Sequence, residues 1–377
     1  MKRFRFRQEL IDISLPGRHF AQTALADFGR DGIPEFVTGQ QFGTIFRYRR
    51  RADGSWSRHV LGEDSPSDVG ACVLDVDGDG WPDLVTGGAW YRNSRHPERP
   101  FERIVFDAAL EGVHDVLAAD LDGDGKAEVI TMSDRNDLRW YKIPDSPEEK
   151  WPLATIGPAV HAGAAVGDLT GNGSLDVVRS NVWFENVHGD ASFWQVRPVG
   201  PTSYPPPDFQ PWFAYDATRA AICDMNRNGR NDVVLCDAEI PGGKLWWMEN
   251  LDGRGQNWRR HEIPNGDPVR RGAYHSLYVG DLDGDGDCDI FTCEMEHVAG
   301  DGQPRWYIQE NVDGAGGAWR EHVILDANLG GHEAVVGDVT GNGWPDIIAK
   351  PWVAFEGNAL GGEMFVLLLE NLGPGQG

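Results

Sequence analysis

Carboxylates crowd into one short stretch of this sequence, Asp281-Leu-Asp283-Gly-Asp285-Gly-Asp-Cys-Asp289. The acids at positions 1, 3, 5 and 9 surround glycines at positions 4 and 6, which allow a sharp turn. Hard oxygen ligands at such short spacing are what calcium prefers. The stretch begins like an EF-hand loop, but position 12 is Thr292 and not the glutamate which that motif requires. An apolar run starting at Ile290 follows, so we predict a loop within a β-hairpin.

The same unit occurs seven times, and successive copies lie 45 to 57 residues apart. Each copy is followed by a strand-like apolar run, then by an aromatic segment that often ends in Glu-Asn, and in several copies by a Trp-Arg-X-His strand. Four short strands at this period predict the blades of a propeller. The copies open at Asp27, Asp75, Asp120, Asp168, Asp224, Asp281 and Asp338.

The two ends of the chain are consistent with closure of a ring. Residues 6–13 resemble the fourth strand of the other units, and the last unit ends after its third strand, residues 364–369. An N-terminal strand that completes the last blade would remove two open sheet edges. The sequence therefore predicts an all-β fold, a seven-bladed β-propeller of four-stranded antiparallel blades, which forms a single domain over residues 1–377.

Three of the seven loops keep a strong set of oxygen ligands and are the predicted structural calcium sites. Their candidate ligands are Asp75, Asp77, Asp79 and Asp83; Asp120, Asp122, Asp124 and Glu128; and Asp281, Asp283, Asp285 and Asp289. The copies at Asp168 and Asp338 carry Thr and Asn and should bind more weakly. The first and fifth copies have Arg30 and Arg227 among the ligand positions, so we predict metal-free turns there. The alternative for every copy is an Asp turn held by backbone N–H groups alone.

Four of the eleven histidines stand six or seven residues before a repeat aspartate: His114, His161, His275 and His332. The first strand of a propeller blade lines the central channel, so these residues are predicted at the mouth opposite the acidic loops. Imidazole is a common transition-metal ligand and titrates near neutrality. The four are therefore candidate second-site ligands for a metal such as zinc, or candidate acid–base groups. The sequence allows either two pairs of histidines or one cluster of all four. The alternative for any one histidine is a half-buried side chain that is hydrogen-bonded and has no ligand.

Charged residues in the loops between second and third strands are predicted at the same mouth. Glu294 in these loops is a candidate ligand or base, as is Glu333, which directly follows His332 at a strand start. Lys350 and Arg179 are candidate substrate anchors. The same loops also contain Asp237, Glu239, Glu296, His297, Trp90, Trp183 and Trp352. A Pro- and aromatic-rich insert, residues 198–215, leads into the fifth blade. The alternative is that these charges form a solvated rim.

The net charge of −25 argues against binding to nucleic acids and to anionic membrane surfaces. The sequence lacks an apolar run long enough for a membrane span, and its N-terminus lacks the apolar core of a signal peptide. Five cysteines occur without a CxxC motif, and Cys72 and Cys223 are predicted to be buried thiols. A cytoplasmic location fits best, although the mature chain of a secreted protein would look the same.

The Asp-x-Asp-Gly-Asp-Gly repeats and the blade layout resemble the FG-GAP/VCBS family of propellers over nearly the whole chain. That family includes adhesion modules, lectins and sugar lyases, so the resemblance implies the fold more than the function. The segments His275-Ser-Leu-Tyr and Gly331-His332-Glu333-Ala are similar to the propeller domain of the aldos-2-ulose dehydratase family. This second resemblance implies dehydration of keto-sugars such as 1,5-anhydrofructose, and a divalent metal in the propeller.

Histidines, acids, a lysine and aromatics around a polar funnel suit a small polar ligand such as a sugar. A divalent ion could polarise a carbonyl while His or Glu removes the neighbouring proton, or His and Tyr could shuttle protons without a metal. The sequence contains neither a GxSxG nor a GxxxxGK[ST] motif. We expect a metal-assisted lyase, dehydratase or isomerase acting on a keto-sugar or glycoside. The alternative is a non-catalytic propeller that binds a glycan or a protein, which would not need four histidines.

Overall fold

The computed structural model describes residues 4–66, 70–200, 218–266, 271–296 and 303–374. These residues form 28 β-strands, which pair into seven four-stranded antiparallel sheets. The predicted fold class is therefore confirmed: the chain is an all-β, seven-bladed β-propeller. Within the described ranges there is no helix with the length and apolar character needed to cross a membrane.

The first of two compact units comprises Met1–Ala118, Val129–Ala154 and His332–Gly377. In chain order its first strands are β1 (Phe6–Asp12), β2 (Phe20–Ala26), β3 (Glu35–Gln40), β4 (Ile45–Arg50), β5 (Trp56–Gly62), β6 (Cys72–Leu74), β7 (Asp83–Thr86), β8 (Ala89–Arg92) and β9 (Glu102–Val105). The third sheet belongs mainly to this unit and consists of β10 (Val113–Ala119), β11 (Glu128–Ser133), β12 (Asp137–Tyr141) and β13 (Leu153–Gly157). Strands β2–β5 form the first sheet, and β6–β9 form the second.

The second unit comprises Ala119–Glu128 and Thr155–Gly331. It holds the fourth, fifth and sixth sheets in chain order. The fourth sheet contains β14 (Ala164–Gly167), β15 (Asp176–Arg179), β16 (Val182–Asn186) and β17 (Trp194–Pro198). The fifth contains β18 (Thr218–Cys223), β19 (Asp232–Asp237), β20 (Leu245–Asn250) and β21 (Trp258–Glu262). The sixth contains β22 (Tyr274–Gly280), β23 (Asp289–Glu294), β24 (Trp306–Asn311) and β25 (Trp319–Leu325). The first strands β14, β18 and β22 are neighbours in that order.

The seventh sheet, in the first unit, joins the two ends of the chain. It contains β26 (His332–Gly337), β27 (Asp346–Lys350) and β28 (Val366–Asn371), and β1 pairs antiparallel with β28. The pairing places Phe6 opposite Asn371 and Leu10 opposite Leu367. The prediction that the N-terminal strand completes the last blade is confirmed. The single-domain organisation stays a prediction.

Burial follows the position of a strand within its sheet. Every residue of β23 and β27 is buried, whereas the fourth strands β9 and β21 are largely exposed. A strand covered on both faces reads as a continuous apolar run, and an outer strand does not. The core between the fifth and sixth sheets contains Val234, Trp247, Tyr274, Ile290 and Tyr307. Neighbouring sheets thus pack face to face through the side chains of their inner three strands.

A buried acid and an asparagine tie neighbouring sheets together at the end that carries the acidic loops. In the fourth sheet, Asp176 accepts the N–H groups of Leu169 and Asn186, both at 3.0 Å. The Asn186 side chain donates across to the carbonyl of Leu121 at 2.7 Å. Asn93, Asn250 and Asn311 make the equivalent bonds to Phe28, Leu169 and Met225. This bond explains the asparagine at the end of the aromatic segments.

The cysteine prediction was wrong at one position. Cys223, at the end of β18, forms a disulfide with Cys288, which lies in the acidic loop after β22. The bond therefore links the fifth and sixth sheets, a proximity that the sequence spacing did not reveal. Cys72 is a free thiol, as predicted, but its side chain is half-buried and not fully buried. The predicted insert at residues 198–215 lies mostly outside the described residues, and His297 lies outside them entirely.

Candidate functional site

The start of β22 places His275 at an irregularity in its sheet. Tyr274 pairs with Glu294 and Ser276 pairs with Cys293, so the register shifts across His275. A bulge of this kind re-aims the side chain of the extra residue. His275 is only 1% exposed, so its ring nitrogens require hydrogen-bond partners within the protein.

Arg219, on β18 of the neighbouring sheet, supplies one of these partners. Its Nε donates to the carbonyl oxygen of His275 at 3.1 Å, and its Nη2 lies 3.0 Å from His275 Nδ1. A guanidinium has only donors, so His275 Nδ1 acts as the acceptor. In a neutral imidazole the single proton is then on Nε2.

Glu239 completes the site from the loop between β19 and β20. Its Oε1 lies 2.8 Å from His275 Nε2 and 3.9 Å from His161 Nε2. The Glu239 and His161 side chains are 19% and 33% exposed, whereas His275 and Arg219 are buried. The second unit therefore holds a solvent-reachable carboxylate between two imidazoles, with a buried guanidinium behind one of them.

Three successive sheets contribute to this cluster. His161 precedes β14, Arg219 and Glu239 belong to the fifth sheet, and His275 belongs to the sixth. The structure brings together His161 and His275, two of the predicted site residues, at the end of their sheets opposite the acidic loops. Sequence reasoning named Glu239 only as one of several loop acids, and it missed Arg219. The available signal was a charged residue within the otherwise small and apolar strand β18.

The first unit contains a second buried histidine held by a cation. His332 pairs with Lys350 across β26 and β27. Lys350 Nζ donates to the carbonyl oxygen of His332 at 2.8 Å and lies 3.3 Å from its Nδ1. The ladder is irregular beyond His332, and Glu333 has a positive φ of 51°, which is uncommon outside glycine. The ring of Trp352 stands 5.3 Å from that of His332.

His114 is the second residue of β10 and is buried, with Nδ1 3.6 Å from the carboxylate of Asp115. The strand-start positions predicted for His114, His275 and His332 are thus confirmed. His161 lies three residues ahead of β14. The wider grouping of the four histidines stays a prediction.

Glu294 and Arg179 are both completely buried. Glu294 accepts the backbone N–H groups of Gly272 at 2.7 Å and Arg305 at 2.8 Å, and burial raises its pKa. Arg179 Nε donates to the carbonyl of Pro158 at 2.7 Å. These bonds hold loops at the ends of β23 and β15. The roles of base and substrate anchor stay predictions for the two residues.

The three predicted calcium loops each bring three acidic side chains together. One oxygen from each member of a set lies within 4.8 Å of the others. The sets are Asp75, Asp77 and Asp83; Asp120, Asp122 and Glu128; and Asp281, Asp283 and Asp285. Arginines also reach two of these loops, since Arg92 Nε lies 2.9 Å from Asp77 and Arg227 Nη2 lies 3.4 Å from Asp287.

The first aspartate of a loop accepts backbone N–H bonds whether or not the loop was predicted to bind calcium. Asp224 accepts from Asn228 and Gly229 at 3.0 and 2.7 Å, which confirms the hydrogen-bonded turn of the fifth copy. Asp281 accepts in the same way from Gly284 and Gly286, at 2.6 and 2.9 Å. The turn therefore forms in both classes of loop, and calcium stays a prediction.

The acid at the ninth position of each acidic loop is more buried than the acid at the first position. Asp83 accepts N–H groups from Val76 and Asn93, and Asp289 accepts them from Leu282 and Asn311. Burial is the largest cause that raises the pKa of Asp83 to about 7 and that of Asp289 to about 8. These two carboxylates therefore hold Asn93 and Asn311, which bond to the neighbouring sheets, in addition to any role as calcium ligands.

Comparisons with known proteins agree with this architecture. Residues 27–86, 120–178 and 224–292 match the model of the FG-GAP-like repeat. No curated protein matches the chain. A lectin of Agrocybe aegerita, described as recognising non-reducing terminal N-acetylglucosamine, is 18% identical with a TM-score of 0.55, over 93% of this chain and 94% of the lectin. BBS1N, solved in complex with ARL6DN, is 9% identical with a TM-score of 0.55, over 99% and 98% of the two chains. At these identities the likeness concerns the fold alone, and the chain is a β-propeller with FG-GAP-like repeats.

Proposed function

We propose that the protein is a carbon–oxygen lyase that acts on a keto-sugar or glycoside at Glu239. The observation that carries the proposal is the position of the Glu239 carboxylate, 2.8 Å from His275 Nε2 and 3.9 Å from His161 Nε2. A carboxylate and an imidazole that both reach solvent are suitable partners for general acid–base catalysis. His275 contacts the carboxylate and orients it, and Arg219 in turn holds His275 through Nδ1 and the backbone carbonyl.

Elimination requires a base at a carbon beside a carbonyl and an acid at the leaving oxygen. Glu239 takes the proton from carbon, and the electron pair of that C–H bond moves toward the carbonyl as an enolate. The enolate then forms the carbon–carbon double bond and expels the β-oxygen, which takes a proton from His161. The products are an unsaturated carbonyl sugar and water, or an alcohol when a glycoside reacts. The proton held by Glu239 returns to His161 and completes the cycle.

A divalent transition metal was the other expected source of catalysis, because it polarises carbonyl groups. Coordination through His275 Nε2 requires the lone pair of that atom. The bond from Arg219 to Nδ1 instead leaves the proton on Nε2, which faces Glu239. The hydrogen bonding at His275 does not fit a metal ligand, so the steps above use no metal.

For the acidic loops we infer calcium as a structural ion. Each of the three loops offers three carboxylate oxygens within 4.8 Å of one another, which suits a hard cation that takes oxygen ligands. In two of the loops the ion would join the end of the first strand to the start of the second, because Asp83 and Glu128 are the first residues of β7 and β11. It would therefore contribute to stability and not to the elimination.

The alternative proposal is a propeller that binds a glycan without transforming it. Its support is the lectin with the same fold, which is described as recognising terminal N-acetylglucosamine. Half-exposed Glu239 and His161 could accept and donate hydrogen bonds to sugar hydroxyls in such a site. The buried Arg219 and His275 favour the lyase, because together they hold the Glu239 carboxylate in one orientation beside a second imidazole.

The test is turnover of a panel of keto-sugars and glycosides, followed by the ultraviolet absorbance of the unsaturated product and by its mass. Glu239→Gln should lower kcat by about 100-fold or more, since it removes the base. Glu249→Gln is the matched control, because Glu249 lies 2.8 Å from His261 Nε2 in a similar pair on outer strands. Sugar binding by the wild-type protein without turnover would favour the lectin-like alternative. Equal activity of the two variants would refute the role of Glu239.

A further inference from the structure

Two buried histidines, one in each compact unit, are held by a cation in the same way. Arg219 contacts both the carbonyl oxygen and Nδ1 of His275, at 3.1 and 3.0 Å. Lys350 contacts the same two atoms of His332, at 2.8 and 3.3 Å. The two cations come from different places, since Arg219 belongs to the neighbouring sheet and Lys350 to the next strand of the same sheet. The recurrence of one arrangement with two different cations indicates that the arrangement itself matters.

The arrangement determines which ring nitrogen carries the proton. Guanidinium and ammonium groups donate hydrogen bonds and cannot accept them. A ring nitrogen that faces such a group has to offer its lone pair, so Nδ1 carries no proton. A neutral imidazole then carries its proton on Nε2. For His275 this proton points to Glu239 Oε1 at 2.8 Å, so both ring nitrogens have complementary partners.

We propose that Arg219 and Lys350 are positioning residues that hold His275 and His332 as neutral imidazoles with the proton on Nε2. Each ring then acts through Nε2 as a hydrogen-bond donor to oxygen. At His275 the acceptor is Glu239, and the bond orients that carboxylate. At His332, which is 3% exposed, the inference concerns only which ring nitrogen carries the proton. The state of the two rings does not rest on the proposed function.

The arrangement is the opposite of the usual surroundings of a metal-bound histidine. Such a histidine binds the metal through one nitrogen and donates the other N–H to a carboxylate or carbonyl. At His275 the second nitrogen instead faces a cation, and the nitrogen toward Glu239 is the one with the proton. A transition metal could bind Nε2 only if the Arg219 bond to Nδ1 were lost. Removal of that bond should therefore create metal affinity.

The first test determines the tautomer of the two imidazole rings by NMR. In uniformly ¹⁵N-labelled protein, correlations between ring nitrogens and ring carbon-bound protons distinguish the two neutral tautomers and the charged form. His275→Gln and His332→Gln identify the two sets of signals by their loss, and His261 provides a reference ring that pairs with Glu249. The expected result is the Nε2–H tautomer for both residues at neutral pH. Signals of the Nδ1–H tautomer at either residue would overturn the proposal for that residue.

The second test uses Zn²⁺ alone as a probe. Arg219→Met removes the donor to Nδ1, and it should strengthen zinc binding by roughly tenfold or more, as expected for release of a charge-assisted hydrogen bond. Arg219→Lys keeps a donor and should bind zinc as weakly as the wild type. Arg259→Met, on an arginine that is 62% exposed and contacts Glu249, is the control for a change of charge. Titration calorimetry measures all four proteins, and unfolding curves report whether each variant is folded.

Stoichiometric zinc binding by the wild-type protein that His275→Ala abolishes would overturn the inference. If Arg219→Met does not fold, the wild-type tautomer and the Arg219→Lys titration decide the outcome. Neither readout depends on turnover. Absence of activity together with the Nε2–H tautomer would refute the lyase and leave the inference standing, whereas activity with the other tautomer would do the reverse.

Discussion

Replacement of Asn250 by alanine should be among the most destabilising single changes at the interface between two sheets. The Asn250 side chain donates to the carbonyl of Leu169 in the preceding sheet at 2.8 Å, and it accepts the N–H of Gly255 at 3.1 Å. Both partner groups lie in buried residues, so they would lose a partner that water cannot easily replace. Each buried group left without a partner costs about 1–3 kcal/mol. We therefore expect Asn250→Ala to lower the free energy of unfolding by about 3–5 kcal/mol.

The measurement is urea unfolding followed by tryptophan fluorescence, with stability taken from the midpoint at constant slope. Asn257→Ala is the matched control in the same sheet, because Asn257 is exposed and donates to the Asp252 side chain at 2.6 Å. Loss of an exposed hydrogen bond should cost about 1 kcal/mol or less. A loss for Asn250→Ala no larger than that of the control would refute the reasoning. It would mean that the bond between sheets is replaced at little cost, and the explanation of the asparagine in the Glu-Asn motif would be wrong.

Three further predictions concern the loops and the acids beside them. Calcium at about 100 times its dissociation constant should stabilise the fold by about 2.7 kcal/mol, and calorimetry should show one fewer site in Asp281→Asn but no change in Asp27→Asn. Loss of the disulfide in a Cys223→Ser, Cys288→Ser protein should cost about 4 kcal/mol for a separation of 65 residues, and thiol titration of the unfolded wild type should find three free thiols among five cysteines. Burial raises the pKa of Asp232 to about 6, so the folded state holds this proton more tightly than the unfolded state. Stability should therefore fall by about 2–3 kcal/mol as pH rises from about 4 to 6, and Asp232→Asn should remove this part of the pH dependence of the urea midpoint.

Much of the fold could be predicted because each repeat is defined by local sequence patterns. The aspartate–glycine loops mark the turn between the first two strands, and the apolar runs after them become the buried strands. Closure by β1 was predictable because the first segment resembles a fourth strand. The disulfide between Cys223 and Cys288 was not predictable, since it depends on the contact between the end of β18 and the acidic loop of the neighbouring sheet.

The candidate site was also predictable only in part. The spacing of His275 and His332 from the repeat aspartates identified the start of two inner strands. Nothing in that spacing shows that a cation contacts Nδ1 of each ring, because Arg219 comes from another sheet and Lys350 from another strand. The sequence likewise did not show that Glu294, a candidate base at the end of β23, is completely buried and accepts two backbone N–H groups.

The sequence by itself determined the number of repeats, the strand order within each blade and the residue types that crowd into loops and strand starts. These features depend on neighbours along the chain, through turn geometry and the alternation of strands. Only the tertiary structure decided the hydrogen-bond partners of His275, and with them the atom that carries its proton. That choice depends on groups about 36 and 56 residues away in sequence, which the packing of neighbouring sheets brings within 3 Å.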